Sequence, residues 1–298
     1  MESRRTYNPK HILCPVDMSP LSDLALKYAD LGAHMFGAKL TVLHAMPTDY
    51  PRYLSKDLTQ RLLNELAHAK SGVQKQVAVH VREVLGEAVE QLPVNYKVTD
   101  MVPAQAILQT ADQEKADLIV MGTHGLDGLK HWVLGSVAEK VMHLSKVPIF
   151  TVRQKIDGFI HTDQPESRPQ IEHILCPCNL SASAAEALHI AASLAERLGA
   201  RLSVLFSVEN GASGEVDRLD AWVRGTLQTR SAVELIVKKG DASDQIIATA
   251  QARQTDLIVI GLCHRPMASG TVVGRTSERV ARYAPAPVLA VPYFVESV

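Results

Sequence analysis

The chain has 298 residues, enough for two domains of roughly 150, each with its own core. Lys and Arg number 31 against 32 Asp and Glu, with no long run of either sign, which argues against nucleic-acid or anionic-membrane partners and for a small molecule or a protein. Arg4, Arg5, Asn8, Pro9 and Lys10 precede only a short apolar run, no segment nears the ~18 apolar residues of a spanning helix, and four cysteines are too few for a disulfide scaffold, so a soluble cytoplasmic protein is expected.

Apolar β-branched runs alternate with helical ones along the chain. Strands are predicted at Ile12 to Val16, Leu40 to His44, Val94 to Val98, Leu118 to Met121 and Ile149 to Val152. Helices are predicted at Ser19 to Phe36, Pro103 to Lys115 and Ser136 to Leu144. Ser19-Pro20 reads as an N-cap with proline at the first helical position, and Gly37 as the stop. Between the second and third strands, Leu54 to Leu92 carries Leu58, Leu62, Leu63, Leu66, Val73, Val77, Val81, Val84 and Leu85 at helical spacing, with a break expected near Ser71-Gly72. This reads as a helical arm packed on the sheet or on a partner, and its apolar residues leave room for a homodimer. Polar residues, with Gly158, Pro165 and Pro169, make residues 153–170 a linker.

The chain is written twice. H-I-L-C-P-V-D-M-S from His11 matches H-I-L-C-P-C-N-L-S from His173 at an offset of 162, and A-D-L-I-V-M-G from Ala116 matches T-D-L-I-V-I-G from Thr255 at an offset of 139. The first copy therefore carries 23 more residues between its second and third strands. Such a self-match implies two homologous domains, 1–152 and 171–298. Strands alternating with helices imply an open parallel sheet in each, with helices on both faces.

Directly after the strand at Leu118 come Gly122, Gly125, Gly135 and Ser136, spaced as Gly, two residues, Gly, nine residues, Gly-Ser. Glycines let the chain turn and let backbone approach a phosphate, and a helix start offers N–H groups to an anion. Asp17 ends the first strand, where an open parallel sheet binds ligands; it is placed to take a ribose hydroxyl or to cap the helix from Ser19. Thr123, His124 and Val137 flank the glycines, and Lys130 and His131 lie in the same loop.

This spacing, with the terminal Asp17 or Asn179, the D-L-I-V strand and the closing V-P or A-P strand, resembles the universal stress protein family over nearly the whole chain. The resemblance implies two five-stranded α/β domains of the adenine nucleotide alpha-hydrolase-like kind, paired through their last strands as an internal pseudo-dimer. It also implies ATP in the first domain, with Pro15, Asp17 and Ala45 on the adenosine and Gly122, Thr123, His124, Gly125, Gly135, Ser136 and Val137 on the phosphates. Met101 stands where many members of that family have glycine, which narrows the expected adenine pocket.

The second copy departs from the pattern, reading Gly261, His264, Gly274 and Arg275 at the aligned positions, so ATP in the usual pose is not expected there. It gains sulfur instead: Cys176 and Cys178 alternate to one face at the end of its first strand, and Cys263 and His264 follow its fourth. Three thiolates and an imidazole make a tetrahedral zinc set, although C-x-C is tighter than the usual C-x2-C. The alternative is that Cys176, like Cys14, is a small buried hydrophobe and the others are incidental. Three functions follow: an ATP-binding stress or regulatory module acting on a protein partner, a slow ATPase lacking the G-x-x-x-x-G-K-[ST] loop, or a metal- or thiol-dependent sensor.

Overall fold

The computed structural model describes residues 6–48, 56–86, 92–124, 134–153, 171–209, 214–227, 233–267, 270–272 and 274–294. Two compact units are resolved, Pro9–Gly128 and Met1–Asn8 with Leu129–Val298.

The first unit contains β1 (His11–Pro15), α1 (Pro20–Phe36), β2 (Lys39–Ala45), α2 (Lys56–Leu85), β3 (Val94–Thr99), α3 (Pro103–Gln113) and β4 (Leu118–Gly122). The strands are all parallel, with β1 between β2 and β4 and β3 outside β2. The chain winds one way from β1 to β3 and returns to β4, and right-handed crossovers then place α1 and α3 on opposite faces. As the sequence predicts, Ser19 Oγ caps α1 by accepting from the Ser22 N–H at 3.2 Å, Pro20 opens it, and Gly37 ends it at φ 61°. Ile12, Leu13, Leu40, Leu43 and Ile119 are fully buried in the core.

The break expected near Ser71-Gly72 is absent: α2 runs unbroken for 30 residues. An interior glycine costs a helix only about 1 kcal/mol, and α2 is anchored on both sides of it. Lys70 Nζ pairs with Asp100 Oδ1 at 2.6 Å, Gln74 Nε2 donates to the Tyr96 carbonyl at 2.8 Å, and His80 Nε2 lies 2.7 Å from Asp23 Oδ1. Val77 and Val81 of α2 are themselves fully buried.

The second unit contains α4 (Ser136–Leu144), β5 (Ile149–Val152), β6 (His173–Cys178), α5 (Ala182–Leu198), β7 (Arg201–Val208), α6 (Glu215–Leu227), β8 (Val233–Lys239), α7 (Ala242–Ala252), β9 (Leu257–Met267), β10 (Gly270–Val272), α8 (Arg275–Tyr283) and β11 (Val288–Phe294). Strands β8, β7, β6, β9 and β11 lie side by side and parallel, repeating the topology of the first copy. Strand β5 joins antiparallel to β11, with Thr151 opposite Val288, Phe150 opposite Leu289 and Ile149 opposite Ala290. The expected pairing of the two closing strands is therefore present, and each hides the other's edge.

A polar clamp missed by the sequence reading is built twice at the amino ends of the strands. Asp117 Oδ2 accepts from the N–H groups of Lys10 and His11 at 2.7 and 2.9 Å, and Asp256 Oδ2 from those of Glu172 and His173 at 2.8 and 2.9 Å. His11 Nε2 lies 2.8 Å from Thr41 Oγ1, which donates to Glu114 Oε2 at 2.8 Å. His173 Nε2 and Ser203 Oγ, with Glu234 Oε2, repeat these distances. Burial raises the Glu114 carboxyl, but hydrogen bonds from Thr41 and Lys97 and the charges of Lys97 and Lys39 bring it below the usual range. The signal for this clamp was in the self-match, which repeats both histidines and both aspartates.

Candidate functional site

In the first unit the strand order reverses between β1 and β2 on one side and β4 on the other, so the carboxyl ends of β1 and β4 form the crevice where such sheets bind ligands. Pro15, Asp17, Ala45, Gly122 and His124 are half-buried there, and Thr123 is fully buried. Asp17 Oδ1 accepts from the Ser19 N–H at 3.0 Å across Met18, which holds the left-handed value φ 61°. The strand-end turn is thus tied to the helix cap, and Asp17 supports the turn rather than capping α1 itself. Thr123 Oγ1 lies 2.9 Å from His124 Nδ1.

Gly122 serves a different purpose from the one expected. It does not adopt a positive φ. A Cβ there would stand 2.9 Å from Leu21 Cγ, so the small residue eases the close approach of the Leu21 side chain on α1 and does not serve a left-handed turn. Gly125, Lys130 and His131 lie outside the described residues.

In the second unit, Gly135 is the N-cap of α4 with φ −64° and ψ 146°, and no side chain caps it among the described residues. Ser136 is exposed and Val137 half-buried in the first turn. A helix first turn with no side-chain cap among the described residues suits an anion.

The second copy is organised otherwise at the same level. Where β4 ends at Gly122, β9 continues past Gly261 to Met267, pairing with β11 as far as His264 opposite Phe294 and then turning back along β10. The backbone after Gly261 is thus engaged in a ribbon. Gly261 is pressed against α5, since a Cβ would lie 2.4 Å from the Ser183 carbonyl oxygen.

The expected zinc set is not assembled. No group of three or more His, Cys, Asp or Glu side chains among the described residues is placed to hold a metal ion. The reason is the extended strand. Consecutive strand residues face opposite sides, which separates Cys263 from His264. The register that sets Ile174 beside Leu257 leaves Cys263 two residues, about 7 Å, beyond the end of β6 at Cys178. His264 is 1% exposed, and its Nε2 lies 3.0 Å from the Met142 carbonyl oxygen, so it points at backbone. Burial pushes the Cys178 thiol up to about 12 and the Cys176 thiol well above its ordinary value, which leaves both without thiolate character and weakens the thiol-sensor reading.

No helix among the described residues is long and apolar enough to cross a membrane. The family model of the universal stress proteins matches residues 8–153 and again residues 170–292. A universal stress protein of Mycolicibacterium smegmatis is 24% identical over 302 residues, covering 94% of this chain and 96% of its own. One from Methanocaldococcus jannaschii is 27% identical over 162 residues, covering 49% of this chain and 96% of its own. Among solved structures, a universal stress protein from Archaeoglobus fulgidus superposes with a TM-score of 0.69 at 22% identity, over 95% of this chain and 98% of that one. The chain belongs to the universal stress protein family, as two copies in tandem.

Proposed function

We propose that the protein is a nucleotide-binding regulatory module in which the first copy, residues 1–152, takes ATP and the second, residues 171–298, does not. The observation that carries this reading is the contrast at the switch point: β4 stops at Gly122, whereas β9 runs on to Met267. On the first copy Pro15, Asp17 and Ala45 would meet the adenosine. Gly122, Thr123, His124, Gly125, Gly135, Ser136 and Val137 would meet the phosphates, an assignment carried by the glycine spacing in the sequence and supported by the first turn of α4, which has no side-chain cap among the described residues. ATP would change the surface offered to a protein partner.

Calorimetric titration of ATP into the full chain tests this. One site per chain is expected, abolished by Gly135→Val with Ser136→Val and unaffected by Arg275→Ala. Two sites, or none, would overturn the reading.

A further inference from the structure

His264 is the residue that the second copy carries in place of the second glycine of the phosphate signature, at the position of Gly125. It does more than obstruct. The last carbonyls of an α-helix have no partner inside the helix, and the Met142 carbonyl in the last turn of α4 finds one in His264 Nε2 at 3.0 Å, 122 residues further along the chain. The ring is buried and stacked on Phe294 at 4.5 Å between centroids and 8° between planes, so β11 fixes its orientation. Helix α4 also packs against β10, the returning strand of the same ribbon. Thus the ribbon that replaces the cradle in the second copy grips the helix whose first turn belongs to the signature of the first copy.

We infer that the β9–β10 ribbon is a brace for α4 and that His264 is its pin, a positioning residue that sets how tightly the first turn of α4 holds phosphate. This rests on the ATP reading above for its functional half, while the mechanical half stands on the contacts alone. The Nε2–H donates to Met142, and Nδ1 is buried with no hydrogen-bond partner among the described residues, so the ring works in its neutral form. Burial holds its proton affinity below the ordinary histidine value, against the opposing effect of the Met142 hydrogen bond and with the neighbouring His143 adding to the lowering.

The test compares full-length wild type, His264→Leu and His264→Gln by hydrogen exchange without nucleotide and by ATP titration. Losing the donor strands a buried carbonyl, so His264→Leu should speed exchange of the α4 amides and weaken ATP, each by about tenfold. Glutamine restores an N–H at similar reach and should recover most of both. Unchanged α4 exchange in His264→Leu overturns the brace, and loosened α4 with unchanged ATP affinity overturns the role of His264 in positioning the phosphate-binding turn. Equal defects in the two variants would reduce His264 to a packing residue and overturn the pin. If wild type binds no ATP, the functional reading fails and exchange alone judges the brace. Should His264→Leu fail to fold, Phe294→Ala removes only the stacked ring: faster α4 exchange supports the brace, and unchanged exchange overturns it.

Discussion

Gly261→Ala reverses the usual sign of a glycine substitution. Gly261 does not adopt a positive φ, so alanine is allowed by the backbone, and by restricting the unfolded chain it would normally stabilise by about 0.4–1 kcal/mol. Here the new Cβ meets Ser183 O at 2.4 Å, Ser183 C at 2.7 Å and Ala184 N at 3.1 Å, all of them backbone. Neither side can yield easily. The first turn of α5 is held by the Ser181 cap, and on the strand Ser277 Oγ donates to the Gly261 carbonyl at 3.0 Å. Relieving the contact needs a shift of about 1 Å of helix against strand, and overpacking of that kind costs about 1–3 kcal/mol. A net loss of about 1–2 kcal/mol is expected, read as a fall of about 2–8 °C in melting temperature. Gly122→Ala is the control, because its nearest atom is the Leu21 side chain at 2.9 Å, which can rotate; its loss should be at most about 1 kcal/mol. A melting temperature for Gly261→Ala equal to or above wild type would refute the close-approach argument.

Gly72→Ala should stabilise by about 1 kcal/mol in urea unfolding, because α2 is continuous there and the added methyl meets nothing within 4 Å; destabilisation would restore the expected break. Burial, then the charges of Arg201 and Arg253, hold His173 below its ordinary value. The unfolded chain therefore binds more protons below about pH 6.5, so stability is full above that pH and is lost as pH falls toward the folded value. The urea midpoint should drop between pH 7.5 and 5.5, and His173→Gln should flatten that drop; an equal drop in the variant would contradict the assignment. With its thiol raised to about 12, Cys178 should resist iodoacetamide at pH 8 in the native chain and react only on unfolding, as peptide mass mapping would show.

Much of the fold was legible because its signals are local. The Ser19-Pro20 start, the Gly37 stop and the β-branched runs each fix an element by short-range physics, and the self-match supplied the second copy. The sequence of the arm reads as helical but broken, because Gly72 is unfavourable on its own and the anchors at Asp100 and Tyr96 are distant in sequence. The zinc set failed for a similar reason. Cys178 and Cys263 would converge only if the chain turned after Gly261 as it does not in this copy, and strand continuation is decided by β11, thirty-odd residues away. In the sequence His264 stands only as a departure from the phosphate signature, whereas its bond to Met142 joins the two halves of the duplication and is invisible to any local window.

The antiparallel seam at β5 and β11 carries a further consequence. Phe150 sits across from Leu289, its own counterpart under the offset of 139, and its two neighbours cross over symmetrically. That register is self-complementary, the mark of a two-fold contact between identical subunits. Fusion has made it intramolecular, so its strength no longer depends on protein concentration. Severing the polypeptide after Val152 would reinstate that dependence and leave a lone half seeking its twin.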